Sequence, residues 1–188
     1  MSIAYRALAL QTTCRAVNAS TSAGEAAARV ADNIARVGRQ VRASKAFIGQ
    51  DLKLVVLPEY FATSYPLGDT IPGWAAKGSF AIDGPEYEQL GRVAQDNGVY
   101  LCANAYERDP HFPGLYFQAS VVLDDSGNQI LRYRRLISLY APARTTCGTG
   151  TWMPTASKAC SRWRIRRWDG WPALPPRRSC IRKWPARW

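Results

Sequence analysis

The stretch DLKLVVLPEY, residues 51–60, decides the fold. Its continuous apolar run, closed by Pro58 and Glu59, reads as a strand buried on both faces. Strands of that kind belong to sheets covered by helices. Glu59 stands at the strand's carboxyl end, where open α/β sheets place their sites. A carboxylate there is expected to be partly desolvated, as a general base requires. The same position also suits a glutamate that caps a loop or pairs with an arginine.

Working outward, residues 3–10 (IAYRALAL) form a short strand candidate. Ser22 with Glu25 three positions on fits a capping box at a helix start. Ala26, Val30, Ile34, Val37 and Val41 then recur at steps of 4, 4, 3 and 4, one apolar helical face. Arg29, Arg36, Arg39 and Arg42 lie mostly off that stripe and read as its solvated side. Pro85, Tyr87, Leu90 and Ala94 predict a second helix, closed by Asn97 and Gly98. VYLCANAYE (99–107) and YFQASVVLD (116–124) read as strands, and the turn 125–128 leads into QILRYRRL (129–136). The order is strand, helix, strand, helix, then three strands with a hairpin. It predicts an α/β fold with a mixed sheet covered by helices on one side.

That pattern ends near Ala143. Residues 144–188 hold 11 Lys+Arg against one acid, Asp169, so residues 1–143 carry only +1 of the chain's +11. Six of the seven tryptophans and Cys147, Cys160 and Cys180 also fall in this tail. The basic character therefore belongs to the tail, and a nucleic-acid-binding reading of the whole chain is unsafe. The tail shows no amphipathic order, and Pro154, Pro172, Pro175, Pro176 and Pro185 would break a helix. No specific nucleic-acid or membrane partner is expected. The opening residues do not fit a signal peptide, and no apolar run is long enough to span a membrane. The odd cysteine count, with no C-x-x-C spacing, points to a reducing compartment, the cytoplasm. His111, the only histidine, cannot build a zinc site alone.

The second chemistry-bearing constellation runs from Tyr116 to Arg135, a hairpin whose Gly turn returns a cluster of cations. Arg132, Arg134 and Arg135 fit exposed charges along an edge strand. One of them facing Glu59 would instead stabilise a developing oxyanion. LKLVVLPEY and LYFQASVVLDDSGNQILRYRRL together resemble the strand-plus-glutamate and "Y-N…G…Y-R-K" motifs of the nitrilase superfamily of carbon–nitrogen hydrolases. The resemblance covers residues 1–142, about half of a family domain. It implies the N-terminal half of an α-β-β-α sandwich and a small-molecule nitrile or non-peptide amide as substrate. It also implies homo-oligomers for intact members, and a covalent mechanism without metal or cofactor.

In that family a Glu–Lys–Cys triad acts. The glutamate takes the thiol proton and later activates water, and the lysine stabilises the tetrahedral intermediate. Glu59 matches the glutamate. Arg135 occupies the lysine position, which keeps the charge but exchanges a compact ammonium for a planar fork. The nucleophile has no match. Cys147, Cys160 and Cys180 do not follow an apolar strand, and Cys14 and Cys102 lie too early and read as small core residues.

Read one base out of register with consistently chosen codons, the tail becomes HDVWDRYLDAYGLEGLFPVADTE and onward, with helix and strand patterning. It then places a serine (ASEEILYPE) where the resemblance puts the cysteine. We expect a frame displacement at the codons for Ala143 and Arg144, leaving residues 143–188 an irregular, out-of-frame tail. A sheet deprived of its second half would expose apolar surface and unpaired edges, so the 188-residue product is expected to be unstable or to aggregate.

Overall fold

A computed structural model of the chain describes residues 4–135. The tail from 143 onward, with its three cysteines, and the end of the 129–136 strand candidate lie outside the described residues. In chain order the elements are β1 (Arg6–Ala9), α1 (Ala23–Ile48), β2 (Leu52–Val56), α2 (Ile71–Lys77) and β3 (Phe80–Ala81). They continue with α3 (Pro85–Asn97), β4 (Tyr100–Arg108), β5 (Phe117–Leu123) and β6 (Gln129–Arg134).

Helix α1 starts where the capping box predicts. Ser22 Oγ accepts from the Glu25 amide at 3.1 Å, and Glu25 Oε2 reaches back to the Thr21 amide at 2.9 Å. The expected stripe of Ala26, Val30, Ile34, Val37 and Val41 is buried, joined by Asn33. Burial of Asn33 is tolerated because its amide donates to Arg15 O at 2.9 Å and to Ala62 O at 2.7 Å. Those bonds tie the helix to the segment before it and to the loop that follows Glu59. The arginines divide. Arg39 and Arg42 are exposed as expected. Arg29 instead donates to Ala16 O, and Arg36 to Thr12 Oγ1, Thr13 O and Asn33 Oδ1. A guanidinium fork satisfies several acceptors at once, so these two fasten the loop before the helix.

Helix α3 follows its sequence signals at both ends. Pro85 occupies the first turn, where its missing N–H costs nothing. Gly98 closes the helix in the left-handed region at φ 54°, with Val99 N–H donating to Ala94 O at 3.1 Å. Helix α2 and β3 have no counterpart in the sequence reading, because seven and two residues are too few to show a period. Thr70 Oγ1 caps α2 by accepting from Gly73 N–H at 3.2 Å. The wholly buried Trp74 anchors it, edge-on to Tyr106 at 5.7 Å between ring centroids.

The strands form one mixed sheet in the order β1-β2-β4-β5-β6, with β3 paired to the end of β4. β1, β2 and β4 run parallel, as do β3 and β4, while β4, β5 and β6 alternate antiparallel. Register then sorts the side chains by face, since successive residues point to opposite sides. Leu8, Val55 and Leu101 share one face and pack with the α1 and α3 stripes into the core. Ala9, Val56, Cys102, Val122 and Leu131 share the other. That second face stays accessible, and Val56 is 41% exposed. The expectation that residues 51–60 are buried on both faces is therefore corrected. Val55 and Leu57 are buried, but no helix among the described residues covers Val56.

One contact between α3 and the β5–β6 turn admits only glycine. A Cβ on Gly91 would meet Gly127 O at 2.7 Å, and one on Gly127, whose φ is 84°, would meet Gly91 O at 2.8 Å. Alanine at a helix interior normally gains about 1 kcal/mol over glycine. Overpacking costs about 1–3 kcal/mol, and here the opposing atom is backbone with no rotamer to yield. Gly91→Ala is accordingly expected to lower the urea midpoint, and an unchanged or higher midpoint would contradict this account of the contact.

Candidate active site

Glu59 leaves the sheet at the carboxyl end of β2, as its position in the sequence predicts. Leu57 N–H still bonds Cys102 O at 2.9 Å, so the chain is held against β4 until the turn begins. Beyond it the turn is pinned by the Asn33 bond to Ala62 O and by Val17 N–H donating to Thr63 O at 3.1 Å. A rigid strand end and a tethered loop thus present the carboxylate. Its side chain is 44% exposed, more open to water than the expected partly desolvated base.

Arg135 follows the last residue of β6. Its main chain extends the ladder by donating to Gln118 O at 2.8 Å. Its Nη1 lies 2.6 Å from Glu59 Oε1 and 2.6 Å from Gln118 Oε1. The two residues singled out from sequence therefore meet directly, although 76 positions separate them. Between them sits Gln118, 3% exposed, whose Nε2 donates to the same Glu59 oxygen at 2.5 Å and to Asn104 Oδ1 at 3.2 Å. Asn104 in turn donates to Ser120 Oγ at 3.0 Å. Sequence reasoning passed over Gln118 and Asn104. The available signal was a pair of large polar residues inside otherwise apolar strands, which must be hydrogen-bonded to be tolerated.

The other two arginines of the hairpin do not reach Glu59, and they are not simply exposed edge charges. Both turn to Glu107, which is wholly buried. Arg134 Nη2 and Nε donate to Glu107 Oε1 at 2.7 and 3.0 Å, and its Nη1 donates to Asp109 Oδ2 at 2.8 Å. Arg132 Nε lies 3.1 Å from Glu107 Oε2 without a directed hydrogen bond, and the Tyr87 hydroxyl donates to that oxygen at 3.0 Å. Burial, and then the Glu107 charge, push the Tyr87 hydroxyl well above its ordinary pKa. Burial opposes the charge on Arg134, but Glu107 and Asp109 outweigh it and raise its pKa. This network locks the end of β6, one residue before Arg135.

His111 pairs with Asp109, Nδ1 to Oδ1 at 2.8 Å. No group of three potential metal ligands occurs among the described residues. Cys14 and Cys102 are free, half-buried thiols outside the core cluster, which corrects the expectation of core residues, and partial burial raises the pKa of both. For Cys14 the Ser64 backbone and Arg36 offset burial only in part. In neither setting does nearby positive charge overcome burial, so neither favours a thiolate nucleophile.

Comparison with known proteins adds an independent line. The family model described as carbon-nitrogen hydrolase matches residues 14–157, a segment that runs past the composition change near Ala143. Among solved structures, Nit3 of Saccharomyces cerevisiae, a member of branch 10 of the nitrilase superfamily, aligns at 19% identity and a TM-score of 0.52. That alignment covers 61% of this chain and 43% of that one. A carbon-nitrogen hydrolase from Helicobacter pylori G27 aligns at 21% identity and a TM-score of 0.52, covering 72% of this chain and 41% of that one. At these identities the likeness is one of fold, and the chain spans less than half the length of either neighbour. No curated protein matches the chain at a significant level.

Proposed function

The chain belongs to the carbon–nitrogen hydrolase family, and from that premise we propose that residues 1–142 carry the base and the cation of a covalent C–N bond hydrolysis. The substrate class is a small nitrile or non-peptide amide. The observation that carries the reading is the meeting of Glu59 and Arg135 at 2.6 Å at the carboxyl end of the sheet. In this role Glu59 takes the proton of the nucleophile, and later that of the hydrolytic water. Arg135 stabilises the negative oxygen of the tetrahedral intermediate. A guanidinium spreads that charge over a plane where an ammonium concentrates it, so the geometry of stabilisation differs from that of a lysine.

The 188-residue form is inactive in this reading. Partial burial raises the pKa of Cys14 and Cys102, away from a thiolate, and no tail cysteine follows a strand-end motif. The reading frame is displaced by one base at the codons for Ala143 and Arg144, which accounts for 11 basic residues against one acid thereafter. High-quality sequencing of the coding DNA across that junction tests this, and a read that no single-base change returns to a patterned frame would refute it. Intact members of this lineage are homo-oligomers that work in the cytoplasm. No helix among the described residues is long and apolar enough to cross a membrane.

A second reading, a non-catalytic scaffold of the same fold, is favoured by one feature. Glu59 is already ion-paired with Arg135 at 2.6 Å, a contact that also serves simply to fasten the end of β6 to the loop after β2. Ammonia release over a panel of nitriles and amides separates the two readings. The 188-residue chain is expected at background and the frame-restored chain above it. Background release by both would leave the scaffold.

A further inference from the structure

We propose that Gln118 is a positioning residue that locks Glu59 and Arg135 into one orientation and leaves Glu59 Oε2 as the oxygen that takes the proton. The proposal deepens the hydrolase reading and rests on Glu59 being its base.

Gln118 lies between two groups of opposite charge. On one side is a carboxylate, which when ionised only accepts hydrogen bonds. On the other is a guanidinium, which only donates. The Gln118 head group meets both at once, Nε2 toward Glu59 Oε1 and Oε1 toward Arg135 Nη1. Turning the amide over would set its oxygen against the carboxylate and its NH2 against the guanidinium, two repulsive contacts. Its orientation is therefore dictated by chemistry. The second Nε2 hydrogen goes to Asn104 Oδ1, and Asn104 is held by Ser120, so the amide is braced from β4 and β5. At 3% exposure, water cannot readily replace these partners. Residue 118 also holds Arg135 through the main chain, accepting its backbone N–H at 2.8 Å.

A carboxylate in place of the amide would repel Glu59, and an aliphatic side chain would bond neither partner. Only a group with a donor and an acceptor on one head can join this anion to this cation. Glu59 Oε1 thus receives two bonds, from Gln118 and Arg135, and the arginine bond is between two ionised groups. Among the described residues Oε2 receives none, so it is the oxygen presented to an incoming proton.

The test reads the Gln118 side-chain amide by NMR in the 15N-labelled frame-restored chain, with its two protons assigned by their loss in Gln118→Leu. The expected result is exchange with water at least about tenfold slower than that of the exposed Gln50, with one proton shifted downfield by the carboxylate. Glu59→Ala, at a half-exposed site that tolerates truncation, is expected to abolish the downfield shift and speed exchange about tenfold. Arg135→Ala is expected to keep the downfield proton, because the bond to Glu59 remains. A Gln118 amide that exchanges like Gln50, or one indifferent to Glu59→Ala, overturns the proposal. These readouts need no catalysis. A slow, Glu59-dependent amide beside background ammonia release by the frame-restored chain would overturn the hydrolase reading and leave the positioning role standing.

Discussion

Glu107→Gln is expected to cost the fold about 3–5 kcal/mol, the range for removing one partner of a buried ion pair. Glu107 is wholly buried and its two oxygens face Arg134, Arg132 and the Tyr87 hydroxyl. Glutamine preserves the shape but removes the charge, and in either orientation its NH2 would face a guanidinium, which only donates. Arg134 would keep Asp109, but its side chain is only 22% exposed, so water cannot fully take over the lost contacts. Tyr87→Phe supplies the scale, since it deletes one hydrogen bond to a charged group, about 1.5–3 kcal/mol. Urea denaturation of both variants in the frame-restored chain tests the ordering. A loss below about 1 kcal/mol for Glu107→Gln would mean that the network is solvated and contributes no more than a surface pair.

Glu59→Gln should show the opposite profile. The Glu59–Arg135 pair is nearly half exposed, 44% and 47%, so its loss is expected to change stability by no more than about 1 kcal/mol. Removing a general base, by contrast, lowers rate by about 10²–10⁴-fold. In the frame-restored chain, ammonia release by Glu59→Gln should therefore collapse while the urea midpoint barely moves. If release persists within a few-fold of the parent, Glu59 is not the base. If stability falls by several kcal/mol instead, its role is to hold the loop. The contrast with Glu107 is one of solvent: both carboxylates bind arginine, but only Glu107 is wholly cut off from water.

The elements with long or well-punctuated patterns were legible in the sequence. The capping box at Ser22, the five-residue stripe of α1, and the Pro85 and Asn97-Gly98 ends of α3 all depend on neighbours within a few positions. So does the placement of Glu59 at a strand end. Helix α2 and β3 were not legible, because Trp74 and Phe80 are recruited by burial against Tyr106, Tyr87 and their surroundings and not by any local period.

The sequence by itself determined the order of the longer strands and helices, the one-sided helical cover, the glutamate, and the compositional break near Ala143. It could not sort three arginines within four residues. Arg132, Arg134 and Arg135 look equivalent as text. Two of them turn to Glu107 and one to Glu59 because β6 sets alternate residues on opposite faces of the sheet. Nor could it reveal Gln118, which matters only because β5 carries it between a carboxylate and a guanidinium from distant segments. Tertiary structure decided those points, since a charge's role depends on which partner lies within hydrogen-bonding reach and how much water the fold leaves around it.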